Sequence, residues 1–167
     1  MAKKLSILLV EDDSIEAMKF NRTVAKLDVD CSITEVKNGE EGIEFLKDNK
    51  SLPDIILLDL NMPKMNGIEF LTILKNDEIL KYIPTIILTT SCHQKDLLDC
   101  YKIGVAGYMI KPLKYSEYAT KMAKIISYWS ESELVAVQCF KSIILFFINK
   151  LKFKNERNCF YRIFRSC

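Results

Sequence analysis

The chain alternates short apolar runs with segments of helical periodicity, and this order restricts the folds that it can adopt. Apolar runs of strand length occupy residues 5–10, 33–36, 55–58, 85–88 and 107–110. Segments with apolar residues at helical spacing follow them at 14–27, 40–47, 67–74, 95–103 and 116–129. Successive strand–helix units are typical of a parallel sheet with helices on both faces. We therefore predict an α/β fold with a doubly wound, five-stranded parallel sheet.

The strands differ in a way that predicts their places in the sheet. The stretches that begin at Ile7, Ile55 and Ile86 are apolar without alternation, as expected for central strands that are covered on both faces. Residues 31–36 alternate polar and apolar side chains, which favours an edge position. In open α/β sheets, ligands bind beyond the carboxyl ends of the strands. The residues that directly follow the strands are therefore the candidate functional residues.

Polar residues directly follow the first, third, fourth and fifth strands. Glu11 and Asp12 follow the first strand, Asp59 the third, Thr89 the fourth and Lys111 the fifth. Three neighbouring carboxylates raise one another's pKa unless a cation lies among them, and a hard divalent cation, most simply Mg²⁺, suits oxygen ligands. Lys111 can neutralise part of the negative charge of a phosphoryl group, and Thr89 can donate a hydrogen bond to one of its oxygens. Together these side chains predict phosphoryl transfer onto Asp59 as the nucleophile.

A purely structural explanation of each single residue stays open at this point. An aspartate directly after a strand is commonly a helix cap or a turn residue. The joint occurrence of three acids, a hydroxyl and an ammonium favours a single phosphoryl-transfer site over five unrelated capping or turn residues. Asp13 or Ser14 precedes the first helical segment, and we predict one of them as its N-cap.

Four motifs carry a resemblance to a known family. They are LLVEDD, LLDLNMPKMNG, ILTTS and GYMIKP, and they occur in this order within residues 5–129. The chain resembles the CheY-like receiver domains of two-component response regulators, especially stand-alone receivers of phytochrome-type and other sensor kinases. The resemblance implies the flavodoxin-like (βα)5 fold for residues 1–130 and a role in phosphorelay signal transduction. It also implies a sensor histidine kinase or a histidine phosphotransfer protein as the partner.

The resemblance assigns roles to residues at the strand ends. It implies Asp59 as the phosphoacceptor, Asp12 as a direct Mg²⁺ ligand and Glu11 as a ligand that acts largely through water. Asn61 would supply its backbone carbonyl to the metal, and Lys111 would pair first with the acids and then with the phosphoryl group. On this basis the protein is not an enzyme with a separate substrate, because it catalyses only its own phosphorylation and dephosphorylation.

The resemblance further implies a two-state switch. Phosphate on Asp59 would draw the Thr89 hydroxyl towards it, and Tyr108 would rotate from exposed to buried. This change would alter the face of the fourth helix, fifth strand and fifth helix, where a protein partner or a second copy of the chain would bind. A cis peptide is expected at Lys111–Pro112, because proline makes that isomer accessible. Gly67 is expected to provide either an unusual backbone angle or close packing.

The end of the chain departs from this pattern. Residues 134–167 hold 7 basic and 1 acidic side chains, whereas residues 1–133 hold 17 basic and 21 acidic ones. We therefore separate a receiver domain at 1–130 from a basic and apolar extension at 131–167. Its apolar run at 143–148 is compatible with contact to a membrane surface or to the groove of a partner protein. The alternative is that the extension has no selected role. Its short length predicts no winged-helix domain and no nucleic-acid partner.

Two other functions stay open when the residues are considered alone. One is a binding-only module that is tethered by the extension and acts without phosphorylation. The other is an aspartyl-nucleophile phosphatase, which would need an acid two residues after the nucleophile, where this chain has Asn61.

The start of the chain and the cysteines bear on its location. Only six apolar or small residues separate Lys4 from Glu11, too few for a secretory signal or a membrane span. The six cysteines form no CxxC pair. We expect a cytoplasmic protein with reduced thiols.

Overall fold

The computed structural model describes residues 4–48 and 51–135, which fold into alternating strands and helices. The strands are β1 (Leu5–Val10), β2 (Cys31–Val36), β3 (Ile55–Leu58), β4 (Thr85–Thr89) and β5 (Gly107–Ile110). The helices are α1 (Ser14–Val24), α2 (Gly39–Asp48), α3 (Gly67–Asn76), α4 (Gln94–Ile103) and α5 (Tyr115–Glu131), with a 3-10 turn at Leu80–Tyr82. The extension predicted to contact a membrane or a partner falls almost entirely at 136–167, outside the described residues.

The strands form one parallel sheet in the order β2-β1-β3-β4-β5. The three strands predicted as central, β1, β3 and β4, occupy the interior of the sheet, and β2 lies at an edge as its alternating pattern indicated. The order reverses direction between β1 and β3, so the switch point of this sheet lies there. Ligands are expected in the crevice beyond the carboxyl ends of these two strands.

Each face of the sheet carries its own hydrophobic core. One core packs side chains of α2, α3 and α4 against strand residues such as Leu8 and Leu58. The other packs α1 and α5 against the alternate strand residues, such as Leu9 and Leu57. Because successive strand side chains point to opposite faces, the continuously apolar strands β1 and β3 supply both cores. Their backbones are therefore fixed from both sides, up to the residues at which the site begins.

The helices agree with the sequence prediction except at the end of α1. The periodic segment was predicted to reach Leu27, but α1 ends at Val24. Lys26 and Leu27 donate backbone hydrogen bonds to carbonyls three residues earlier, so the chain closes a tight turn there. Leu27 still packs partly against the core, which explains why it fits the helical spacing. Within residues 4–48 and 51–135, no helix combines the length and the apolar composition that crossing a membrane requires.

Candidate functional site

Sheet hydrogen bonding continues one residue beyond three of the strands and fixes the backbone of three site residues. Glu11 N donates to the last carbonyl of β2 at 3.0 Å, and Asp59 N donates to the last carbonyl of β1 at 3.0 Å. Lys111 N donates to the last carbonyl of β4 at 2.7 Å. The three residues therefore lie at the same edge of the sheet, although 100 positions separate Glu11 from Lys111.

The three predicted carboxylates lie together at this edge. Glu11, Asp12 and Asp59 each offer one carboxylate oxygen, and these oxygens lie within 4.8 Å of one another. Glu11 and Asp59 are buried, whereas Asp12 is exposed. Two oxygens bound to one Mg²⁺ lie at most about 4.2 Å apart, so the cluster needs only a small closure to bind such a cation. The donor atoms thus fit a hard divalent cation that enters from the side of Asp12.

Lys111 is the cation that the structure places among these acids. Its Nζ lies 2.6 Å from Glu11 Oε2 and 3.7 Å from Asp59 Oδ2. Burial raises the pKa of Glu11 to about 7, although the Lys111 ammonium acts to lower it. Burial likewise raises the pKa of Asp59, against the same ammonium and two backbone hydrogen bonds. The site therefore holds carboxyl groups that bind protons more tightly than usual while no metal is present.

The two oxygens of Asp59 have different surroundings. Leu60 N donates a hydrogen bond to Oδ1 at 2.8 Å. Oδ2 faces Lys111 Nζ at 3.7 Å, which is an ion-pair distance rather than a hydrogen bond. The backbone bond fixes the carboxylate plane, so Oδ2 is held in one direction.

The loop between β3 and α3 is held close to Asp59 by a glycine and a helix cap. A Cβ at Gly67 would lie 2.3 Å from the Asp59 carbonyl oxygen and 2.7 Å from Leu60 Cα. Close packing, and not an unusual backbone angle, therefore explains the glycine, because Gly104 is the glycine with positive φ among the described residues. Asn66 caps α3 by accepting from two backbone N–H groups, and its own N–H donates to Glu69 at 3.0 Å.

An open cavity of about 670 Å³ reaches one of the three carboxylates, that of Asp12. Its lining residues are Asp12, Leu60, Asn61, Met62, Pro63, Asn66, Ile68, Glu69 and Asp96. The cavity lies between the β3–α3 loop and the start of α4, and it brings Asn61 to the same opening as Asp12.

The two predicted switch residues lie on adjacent strands and share a contact. Thr89 is fully buried at the end of β4, and its Oγ1 accepts a hydrogen bond from Ser91 N at 3.1 Å. Tyr108 on β5 is half-buried, and its hydroxyl donates to Ser91 O at 3.4 Å. Partial burial also raises the pKa of Tyr108, so its hydroxyl stays protonated and able to donate.

Comparison with known proteins agrees with this geometry. The family model described as the response regulator receiver domain matches residues 7–123. The chain belongs to this family. The probable methanogenesis regulatory protein FilR2 of Methanothrix harundinacea is 36% identical over 127 residues, which cover 74% of this chain and 82% of that protein. The chain is thus a receiver domain of two-component signalling.

Two solved receiver structures are also similar. Response regulator Rcp1 of Synechocystis sp. is 31% identical over 131 residues, which cover 75% of this chain and 89% of Rcp1. The Mn²⁺-bound form of Rcp1 matches with a TM-score of 0.75 over 79% of this chain and 99% of that one. The phosphorylated cyanobacterial phytochrome response regulator RcpA matches with a TM-score of 0.77 at 31% identity, over 80% of this chain and all of the other. The receiver fold expected from the motifs is confirmed.

Most residues predicted for the receiver site do lie together, with one correction. Glu11, Asp12, Asp59 and Lys111 form one cluster, and Asp13 caps α1 by accepting from a backbone N–H at 2.8 Å. The cis peptide expected at Lys111–Pro112 is wrong for this structure, in which no described peptide is cis. A bond before proline can adopt either isomer at small cost, so its residue types alone do not determine which one forms.

Sequence reasoning missed two features of the receiver site. Lys64 in the β3–α3 loop has a φ of 65°, which is unusual for a residue with a side chain. Asp96 lies at the cavity and accepts a hydrogen bond from Ser91 Oγ at 2.8 Å. The position of Asp96 in the first turn of α4 was visible in the sequence, but its partner depends on the loop conformation before that helix.

Proposed function

We propose that this receiver accepts a phosphoryl group on Asp59 from the phosphohistidine of a sensor histidine kinase or a histidine phosphotransfer protein. Proteins of the receiver family act with histidine kinases and are not enzymes in the usual sense. One observation carries the assignment to Asp59: its carboxylate is fixed by a backbone N–H on one oxygen, and the other faces Lys111 beside two further acids.

The surroundings of the acids support a division of roles. Asp12 is exposed and lines the cavity together with Asn61, and a carboxylate oxygen of Asp59 lies within 4.8 Å of one of Asp12. These two carboxylates and the backbone carbonyl of Asn61 are therefore the proposed Mg²⁺ ligands. Glu11 already accepts a 2.6 Å hydrogen bond from Lys111, which favours a contact to the metal through water. Mg²⁺, when bound, neutralises charge on the phosphoryl oxygens.

The proposed reaction forms one bond and breaks another. Asp59 Oδ2 attacks phosphorus, the bond from phosphorus to the histidine nitrogen breaks, and that nitrogen keeps the electron pair. Lys111 exchanges its ion pair with Asp59 for one with a phosphoryl oxygen, and Thr89 donates its hydroxyl hydrogen to another. Water later attacks the phosphorus of the acyl phosphate, the bond to Asp59 Oδ2 breaks, and inorganic phosphate leaves, which restores the Asp59 carboxylate. Catalysis is thus limited to the phosphorylation and dephosphorylation of the receiver itself.

The same proposal assigns the output to the face of α4, β5 and α5. Movement of Thr89 towards the phosphoryl group changes the space beside Tyr108, and Tyr108 then turns inward. The face exposes large apolar side chains, including Tyr101, Ile110 and Tyr128, which are available to a protein partner or a second copy of the chain. The cytoplasmic location and the membrane contact of the extension stay predictions from the sequence.

The test is the intact mass of the protein after incubation with acetyl phosphate, with MgCl₂ or with EDTA. We expect a gain of one phosphoryl group in the presence of Mg²⁺ and none in EDTA or in Asp59→Asn. Asp13→Asn is the matched control, because it removes a neighbouring carboxylate that caps α1 and leaves the site intact. If the wild-type chain gains no phosphoryl group from any donor, the receiver instead acts as a phosphorylation-independent binding module.

A further inference from the structure

The β3–α3 loop contains a residue in an unfavourable backbone conformation. Lys64 has a φ of 65°, a left-handed angle at which the Cβ of a residue other than glycine crowds the backbone. Such a conformation persists only where neighbouring contacts hold it. The same loop carries Asn61, whose backbone carbonyl is one of the proposed Mg²⁺ ligands. The contacts that hold this loop therefore bear on the metal site.

Two backbone hydrogen bonds hold the loop. At its base, Gly67 N donates to Leu60 O at 3.0 Å and brings the two ends of the loop together. Further out, Met65 O accepts at 3.2 Å from the N–H of Gly39, the first residue of α2. Met65 directly follows Lys64, so the bond to α2 acts beside the left-handed residue.

The side chain of Met65 also packs against α2, at the point where Gly39 has no side chain. An added Cβ at Gly39 would lie 2.7 Å from Met65 Cγ and 2.9 Å from its Sδ. Because Met65 Cβ would lie at only 3.0 Å, turning the side chain would not remove the whole overlap, and the loop backbone would have to move. Gly39 is buried and its φ is not positive, so the close approach of Met65 explains this glycine.

The start of α2 is itself fixed beside the acidic cluster. Asn38 Oδ1 accepts from Glu41 N at 3.1 Å, and the Asn38 amide donates to Glu41 Oε1 at 2.9 Å. Val36, the last residue of β2, accepts the backbone hydrogen bond of Glu11 at 3.0 Å. The short connection from Val36 to Gly39 therefore relates the position of the β3–α3 loop to that of the carboxylates.

We propose that Gly39 is a positioning residue: it admits Met65, donates to its carbonyl, and thereby holds the β3–α3 loop in the conformation that places the Asn61 carbonyl at the Mg²⁺ site. The inference rests on the Mg²⁺ ligands of the proposed function, but not on phosphoryl transfer. It gives α2 a role in metal binding, although α2 contributes no side chain to the acidic cluster. We call the contact of Gly39 with Met65 the loop anchor.

Gly39 could instead serve only the packing of α2, in which case its replacement would lower stability and leave Mg²⁺ binding unchanged. Gly42 provides the matched control, because it lies in the same helix and its added Cβ would lie 2.8 Å from Phe70 Cε2. Phe70 belongs to α3, so Gly42→Ala introduces a similar overlap away from the loop anchor. Met65→Ala provides the rescue, because it removes Cγ and Sδ, the two atoms nearest to the methyl group of Gly39→Ala.

The experiment compares the wild type, Gly39→Ala, Met65→Ala, their double variant and Gly42→Ala as full-length chains. The first readout is the set of backbone amide NMR signals of residues 60–67 in metal-free, ¹⁵N-labelled protein. The second is the Mg²⁺ Kd from calorimetric titration with MgCl₂. Urea unfolding in EDTA gives the stability of each variant, which separates a loss of the fold from a loss of the site.

Gly39→Ala should shift the amide signals of the loop and raise the Mg²⁺ Kd about tenfold, at the lower end for residues that orient metal ligands. Gly42→Ala should keep the Kd within about twofold of the wild-type value even if its stability falls, as expected for an independent site. Met65→Ala adds no atom but loses the packing, so it should raise the Kd by a smaller factor than Gly39→Ala. The double variant should bind Mg²⁺ more tightly than Gly39→Ala, a non-additive result that is expected of residues in contact.

A wild-type Kd in both Gly39→Ala and Met65→Ala would overturn the loop anchor. So would an equal rise in Gly39→Ala and Gly42→Ala, since that result assigns the effect to helix packing, or a double variant as weak as Gly39→Ala. If Gly39→Ala does not fold, the Kd of Met65→Ala decides, and an unchanged value overturns the inference.

Phosphorylation is read separately, by the intact mass after incubation with acetyl phosphate. If the Mg²⁺ Kd depends on Gly39 as expected while the wild type gains no phosphoryl group, the proposed function fails and the loop anchor stands. If the wild type is phosphorylated while the Kd of the anchor variants is unchanged, the loop anchor fails and the proposed function stands.

Discussion

At the residue scale, the main feature of the site is an excess of negative charge. Glu11, Asp12 and Asp59 lie together, and Lys111 is the cation that faces two of them. Burial raises the pKa of Glu11 to about 7 and also raises that of Asp59, so their charged forms are costly in this environment. A bound cation removes this cost, which links metal binding to both stability and pH.

The first prediction concerns stability without and with metal. Asp59→Asn removes one of the repelling charges, and we expect it to raise the free energy of unfolding in EDTA by about 1 kcal/mol, within the usual size of the effect of a single substitution. Wild-type protein should gain about 2.7 kcal/mol when Mg²⁺ is present at a hundred times its Kd, and Asp59→Asn should lose most of this gain. Urea unfolding in EDTA and in MgCl₂ measures both effects, and Asp13→Asn should change neither.

The second prediction follows from the sign of the pKa shifts. In the folded, metal-free protein Glu11 keeps its proton up to a pH of about 7, whereas an unfolded glutamate loses it near 4.5. Protons therefore compete with the cation below pH 7, and Mg²⁺ should stabilise the protein more at pH 8 than at pH 6. Thermal unfolding with and without MgCl₂ at the two pH values tests this. Glu11→Gln should reduce the difference, and an equal Mg²⁺ effect at both pH values in the wild type would contradict the argument.

The sequence predicted the members of the site but not all of their contacts. Asp59 and Lys111 could be placed because each directly follows an apolar strand, and parallel strands end at one edge of the sheet. The partner of Asp96 and the trans peptide at Lys111–Pro112 could not be placed, because they depend on loop conformations. Side-chain rotamers also decide that Lys111 lies closer to Glu11 than to Asp59, and no spacing in the sequence specifies these.

At the scale of elements, the third prediction concerns the junction of β3 and α3. An alanine Cβ at Gly67 would lie 2.3 Å from a backbone oxygen, and backbone cannot move aside as a flexible side chain can. We expect Gly67→Ala to lower the free energy of unfolding by about 3 kcal/mol, at the upper end for overpacked sites. Gly107→Ala is the control, because its nearest neighbour would be a side-chain atom at an ordinary 3.5 Å. Equal urea midpoints for the two variants would show that the loop accommodates the methyl group.

The elements were predicted more reliably in the interior of the sheet than at the ends of helices. The apolar runs of β1, β3 and β4 have a composition typical of doubly covered strands, so their central positions could be predicted. The end of α1 was predicted three residues too late, because Leu27 has the helical spacing and still contacts the core after the helix has ended. Apolar periodicity reports which side chains are buried, and burial continues through a tight turn.

At the scale of the whole molecule, the two cores meet at the sheet and together fix the site. Core residues of β1 and β3 alternate between the two clusters up to Val10 and Leu58, directly before Glu11 and Asp59. The site residues thus stand on strands that cannot shift without disturbing both cores. The loop before α4, in contrast, is held by single hydrogen bonds, so we expect it to move more readily than the ends of these strands.

The last prediction tests whether the receiver domain is complete without the extension. The described side chains that form the two cores end with Ile126, supplemented by Trp129 and Leu134 at the edge. A chain of residues 1–135 should therefore keep the unfolding free energy of the full chain within about 0.5 kcal/mol, as expected for changes that remove no core contact. A chain of residues 1–121 lacks Met122, Ile125 and Ile126, at about 1.5–3 kcal/mol of burial each, which is enough to unfold a typical domain. Urea unfolding of the three chains decides the boundary: a large loss of stability in 1–135 would mean that the extension belongs to the folded domain.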